Sequence, residues 1–202
     1  MKKKPFDTRQ MVTLAMLSAI LLIMSFTPLG YLNIGPLAIS LNMIPVGIAA
    51  VTLGPTGGMV LGGLFGITSF LQCIGIGGTS AMGVILFEIS PLLTFVQRFF
   101  PRLLAGLLSG LIYRGVKKIS NGTVSGFVTG FSAALLNTLL FMTALVLFFG
   151  NTEYLQSLIG GRNVILFICA FVGVNAVVEM VATTAAVGVI GRVLNKFMSM
   201  RR

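Results

Sequence analysis

The sequence predicts an all-α integral membrane protein, a six-transmembrane-helix bundle, on three observations. Mean hydropathy is +1.03 and charged residues make up only 9% of the 202 residues. The apolar residues fall in blocks of roughly 20, about what a helix needs to cross the hydrocarbon core. The basic residues gather in short segments between those blocks. Residues 1–202 therefore read as a single membrane domain, with nothing left over for a soluble one.

The expected spans are 11–28, 37–53, 58–74, 100–113, 124–149 and 164–194. The first follows a basic start like that of a signal peptide. Its apolar run is long and lacks a small-residue cleavage site, so a retained helix is expected. The second and third are separated by a tight turn at 54–57 containing Pro55 and Thr56. Before the fourth, Ser90, Pro91 and Pro101 read as punctuation, so 82–99 is expected to be an outer loop carrying a short helix. Seven helices, or one broken helix, is the alternative. A second tight link at 119–123 leads to the fifth span, and the sixth closes the chain.

Charge orients the bundle. With the N-terminus inside, the inner segments hold Lys2, Lys3, Lys4 and Arg9, then Arg114, Lys117 and Lys118, then Arg192, Lys196, Arg201 and Arg202. Only Arg98, Arg102 and Arg162 remain outside, so the positive-inside rule puts both termini in the cytoplasm. The same rule accounts for the net charge of +10 without invoking nucleic acid. The outer links, 29–36, 75–99 and 150–163, are the richer ones. They carry aromatic, amide, glycine and charged residues suited to capping a small molecule.

Small residues recur every fourth position at Gly58, Gly62 and Gly66, at Gly106 and Gly110, and at Gly126, Gly130 and Ala134. In lipid, such stripes bring helix backbones together. Ala15 and Ala19 likewise share one face of the first helix, open to bundle packing or to docking of another membrane protein. Cys73 and Cys169 both lie in apolar runs and give no disulfide framework.

Four acidic residues occur in the whole chain, and Glu88 and Glu179 lie in or against apolar stretches, where a carboxylate is costly and marks a site or a pairing. Asn175, Glu179 and Thr183 share one face of the sixth span, and Asn137 falls mid-way along the fifth. These residues either line the floor of an outward-opening cavity or lock the two helices by hydrogen bonds. Asn42 and Gln72 carry the same two readings. Arg98 and Arg102 stand four apart around Pro101. They serve to neutralise Glu88, to recognise an anionic substrate group, or to snorkel to headgroups. The stretch 27–36, with Tyr31 and Asn33 among turn formers, reads as a turn or re-entrant path that caps a substrate.

Catalytic classes find little support. No His is present, which removes a Ser-His-Asp triad and most zinc sites. Ser109, between Gly106 and Gly110, reads as a packing residue rather than a nucleophile, and Thr79 and Ser80 sit among glycines without a Walker pattern. No cofactor or metal is expected. A stand-alone channel or ion-coupled carrier using Glu179 is the remaining rival.

The basic N-terminus, the run from Ala15 to Ala19, and the segment from Pro28 to Pro36 leading to Leu53, Gly54, Pro55, Thr56, Gly57 and Gly58 resemble the substrate-binding S-component of an energy-coupling factor (ECF) vitamin transporter. The likeness covers nearly the whole chain and is greatest to the pantothenate-type branch. It implies a multi-pass protein of the prokaryotic plasma membrane that captures a vitamin from outside. It also implies a transmembrane coupling subunit and two cytoplasmic ATPases as partners, with Ala15 and Ala19 facing the coupling subunit. Delivery would proceed by toppling of the S-component in the bilayer. The site residues expected are Tyr31, Asn33, Gln72, Arg98, Arg102, Asn137, Asn175 and Glu179. Other vitamins of the class, namely folate, riboflavin, cobalamin or a pyridoxine-like compound, stay open. The lack of Trp weighs against a large stacked ligand.

Overall fold

The computed structural model describes residues 7–33, 38–78, 80–161 and 164–199. Among them the chain forms α1 (Thr8–Phe26), a 3-10 turn (Pro28–Gly30), β1 (Tyr31–Asn33), β2 (Ala38–Ser40), α2 (Met43–Thr52) and α3 (Gly54–Leu71). A second 3-10 turn (Gln72–Ile74) leads to α4 (Ala81–Ile89), α5 (Pro91–Val116), α6 (Gly122–Phe149), α7 (Glu153–Ile159) and α8 (Val164–Ser199). Five helical stretches are long and apolar enough to cross a membrane: α1, α3 with its 3-10 extension, α5, α6 and the part of α8 from Asn175 to Val193. The predicted span 37–53 is instead a strand followed by the 10-residue α2. At 1.5 Å per residue α2 covers about 15 Å, roughly half the hydrocarbon thickness. It is nonetheless the most enclosed helix, with eight of its ten residues buried.

Local chemistry sets the helix ends. Asp7 caps α1 in a capping box, with its own N–H bonded to Gln10 Oε1 at 3.2 Å. Ser80 caps α4, accepting from Gly83 N–H at 3.2 Å. Ser90 caps α5, and Pro91 occupies its first turn, where a missing N–H costs nothing. That last start corrects the expectation for 82–99. Ser90 and Pro91 open a 26-residue helix rather than interrupting a loop, and α5 runs straight through Pro101. Such a proline is tolerated where neighbouring helices support the backbone, and α3 packs along this stretch.

Glycine decides how α3 and α5 meet. A methyl group on Gly58 would fall on the Gly106 carbonyl, one on Gly62 on the Arg102 carbonyl, and one on Gly110 on the Pro55 backbone. The first two predicted stripes therefore face one another, and backbone lies on backbone. The third packs α6 on α8: a Cβ on Gly130 would come 2.7 Å from the Thr183 carbonyl. The main core, including Met43, Val46, Leu61, Phe65 and Val187, fills the space between α2, α3 and α8. A second cluster, Met82, Leu86, Leu145, Phe149, Leu155 and Ile159, joins α4 and α7 to the end of α6.

The hairpin completes the same end of the bundle. Tyr31 pairs with Ser40, Leu32 with Ile39 and Asn33 with Ala38, and Leu41 N–H donates to the Gly30 carbonyl at 2.9 Å. The calls on residues 34–36 of the capping stretch, on Thr79, on Arg162 and on the side chains of Asn33 and Cys169 lie outside the described residues. Cys73 is a buried free thiol whose Sγ donates to the Ser69 carbonyl. The Ser109 hydroxyl donates back to Ala105 in its own helix, as a packing residue would.

Candidate functional site

A cavity of about 610 Å³ opens at the hairpin end, within the range of about 300–1,000 Å³ typical of small-molecule pockets. Seven of the eight predicted site residues line it: Tyr31, Gln72, Arg98, Arg102, Asn137, Asn175 and Glu179. Five elements contribute these side chains, so the site exists only once the bundle is closed.

Helix α5 supplies the cationic wall. Arg98 and Arg102 are one turn apart, and each is only 6% exposed. Arg98 Nη2 donates to Ser80 Oγ at 3.3 Å, and Arg102 Nη1 to the Arg98 carbonyl at 2.9 Å. Both Nε atoms are buried without a hydrogen-bond partner among the described residues. A guanidinium carries five N–H donors, so most of the donor capacity here is uncommitted. The rings do the rest: Arg98 lies over Phe141 at 5.2 Å, and Arg102 lies between Phe141 at 4.9 Å and Phe65 at 4.8 Å.

Two of the expected roles for these arginines are corrected. Neither pairs with Glu88, which is exposed on α4 while Arg98 turns inward to Ser80. The early start of α5 is the reason: Arg98 lies two turns inside a helix and faces the cavity, whereas Glu88 is on the exposed side of α4. Nor do they snorkel: both guanidiniums are inside the protein rather than at its surface.

The acidic and amide wall comes from α6 and α8. Asn137 Nδ2 donates to Glu179 Oε1 at 3.1 Å, and each of these residues is 7% exposed. This bond locks the two helices and lines the cavity at once, so the two sequence readings turn out to be compatible. Asn137 Oδ1 and Thr183 Oγ1 are buried without partners among the described residues. Asn175 stands one turn before Glu179 on the cavity face.

The hairpin and α3 form the third wall. Gln72 Nε2 donates to the Ser25 carbonyl at 2.6 Å, and Ser25 Oγ meets Thr68 Oγ1 at 3.1 Å, fastening α1 to α3. Burial pushes the Tyr31 phenol above its usual range, partly opposed by Arg102, Arg98 and the nearby amides of Asn42 and Gln72. It stays protonated at neutral pH and is available as a donor. Its hydroxyl, Ser40 Oγ and the Asn42 amide make no well-formed hydrogen bond among the described residues. The Ser40 backbone also faces Glu179, so the hairpin base touches the acidic wall.

Sequence reasoning missed Phe141, Phe65, Ser25 and Ser40. Phe141 had a signal, since it follows Asn137 by four residues and so shares its helix face. Nothing local distinguishes Phe65 from the other phenylalanines. Among the described residues no group of three or more His, Cys, Asp or Glu side chains is placed to hold a metal.

The arrangement can bind a small molecule that presents an anion to one wall and hydroxyl or amide groups to the others. A family model described as ECF transporter, substrate-specific component, matches residues 9–191. The chain is 28% identical to the pantothenate transporter PanT of Leuconostoc mesenteroides over 93% of this chain and 92% of that relative. It is 25% identical to the pantothenic acid transporter PanT of Lactococcus lactis over 90% of this chain and 93% of that relative.

Proposed function

Because the chain belongs to the ECF transporter substrate-specific component family, we propose that it is the high-affinity capture subunit of an ATP-driven uptake system, and that its vitamin is pantothenate. The protein is a multi-pass membrane protein of the prokaryotic plasma membrane and a transport subunit that works with other ECF subunits. Pantothenate as the substrate rests on the relatives' names and on one observation. Two buried guanidiniums with uncommitted donors share a cavity with a single carboxyl group, Glu179.

Pantothenate carries one carboxylate, one amide and two hydroxyls. In our reading Arg98 and Arg102 take the carboxylate, for which a guanidinium fork is suited. Asn137, Asn175 and Glu179 take the hydroxyls, and Tyr31 from the hairpin and Gln72 from the end of α3 complete the contacts. The two strands of the hairpin cap the site.

The topology proposed has six spans, α2 serving as the shortened second one, and both termini cytoplasmic. Captured vitamin passes inward by reorientation of this subunit against a transmembrane coupling subunit, driven by ATP hydrolysis in two partner ATPases. Ala15 and Ala19 are exposed on α1, on a face with Met16 and Ile20, while Leu17, Leu21 and Ser25 point into the bundle. That exposed face is the proposed docking surface for the coupling subunit.

Equilibrium binding of a vitamin panel to the purified chain tests the assignment. Pantothenate should bind most tightly, without any partner subunit present. Tighter binding of folate, riboflavin, cobalamin or a pyridoxine-like compound would replace the substrate, and substrate-independent ion conductance in liposomes would replace the class.

A further inference from the structure

The geometry points to Phe141 as the positioning residue that holds Arg98 and Arg102 together as one anion receptor. The inference rests on the reading that the cavity takes a carboxylate.

Like charges four apart on a helix repel, and the repulsion grows when water is removed. Arg98 and Arg102 are in that situation, nearly enclosed, and among the described residues neither forms an ion pair. Glu179 acts on Arg102 across the cavity without a close ion pair, so a nearer contact is needed to keep both guanidiniums turned inward. Phe141 is placed to do so. Its ring is contributed by α6, and both guanidinium carbons lie within cation–π reach of it, at 5.2 and 4.9 Å. Phe65 holds Arg102 alone, at 4.8 Å. Phe141 is thus the ring the two cations share, and it lines the cavity beside them.

The ring is itself held in register. Asn137 lies one turn earlier on α6 and bonds Glu179, while Gly130 presses α6 onto α8. Preorganised in this way, the donors need little rearrangement when an anion arrives, which conserves binding free energy.

A plain apolar wall would also put a phenylalanine here, and the two roles separate by ligand charge. A residue that acts through the guanidiniums affects only a ligand bearing a carboxylate. A wall residue affects a neutral analogue equally.

The test measures dissociation constants of pantothenate and of pantothenol, in which CH2OH replaces the carboxylate, on the purified full chain. The native protein should prefer the carboxylate. Phe141→Leu should reduce that preference by about tenfold, and Phe141→Tyr, which keeps the ring, should retain it. Phe141→Met fills the space without a π face and stands in for the leucine variant should that one fail to fold. An unchanged preference in the Leu or Met variant overturns the inference, even where both affinities fall together. A native protein with no preference for the carboxylate overturns the anion reading and the inference with it, and that ratio is measured before any substitution is made.

Discussion

The α3–α5 seam and the cavity wall beside it share helix α5, yet they are built on opposite rules. Along the seam, side chains are removed: Gly58, Gly62, Gly106 and Gly110 let backbone lie on backbone. On the cavity face, one helix turn carries two buried cations, and among the described residues polar atoms end without partners at Arg98, Arg102, Tyr31, Ser40 and Asn137. Buried polar groups are normally satisfied, so a concentration of unpaired ones around a cavity marks where a ligand completes the structure. The closed seam supplies the rigidity that makes those unpaired polar atoms tolerable and accurately placed.

The largest effect should come from breaking the seam. Gly62→Val drives a branched side chain into the Arg102 carbonyl, and overpacking of a well-packed contact costs about 1–3 kcal/mol or more. We expect poor recovery of monodisperse protein on size exclusion, and loss of vitamin binding in whatever is recovered. Removing a cation without touching the seam comes next. Arg102→Ala should fold yet weaken pantothenate binding by about 100-fold, on the scale of about 2–5 kcal/mol for truncating one side of a buried charged contact. Asn137→Ala should weaken binding by about tenfold and lower the melting temperature, since it removes both a cavity contact and the bond to Glu179. The mildest effect is expected at Gln97, which is fully buried on α5 with both amide atoms unpaired among the described residues, and does not line the cavity. Nothing in the structure explains it. Gln97→Met should leave binding unchanged and raise thermal stability by the relief of about 1–3 kcal/mol of unsatisfied burial.

The two regions were also unequally legible in the sequence. Glycines spaced by four announce a close helix contact, and the stripes at 58–66 and 106–110 indeed face each other. The polar face of Asn175 and Glu179 follows from helical spacing in the same way. What spacing along one helix does not convey is which helix faces it, so the Asn137–Glu179 bond and the sharing of Phe141 by two arginines needed the fold. Arg98 shows the cost of a boundary error. With α5 taken to begin near residue 100, it sat at a helix end beside Glu88; with α5 beginning at Pro91, it is a buried residue bonded to Ser80. Prolines and serines mark helix starts as readily as loops, and only tertiary packing decides between them. The helix α2 is shorter than the apolar run 37–53 for a related reason, because such a run does not reveal where a strand gives way to a helix.

The central claim is that the cationic face of α5 binds the vitamin, while the seam on the same helix only supports it. Titration of pantothenate into purified native protein, Arg102→Ala and Gln97→Met, side by side, tests this most directly. The account predicts affinity lost by about 100-fold in the arginine variant and retained in the glutamine variant, with both proteins folded. Equal affinity in native protein and a folded Arg102→Ala variant would contradict it.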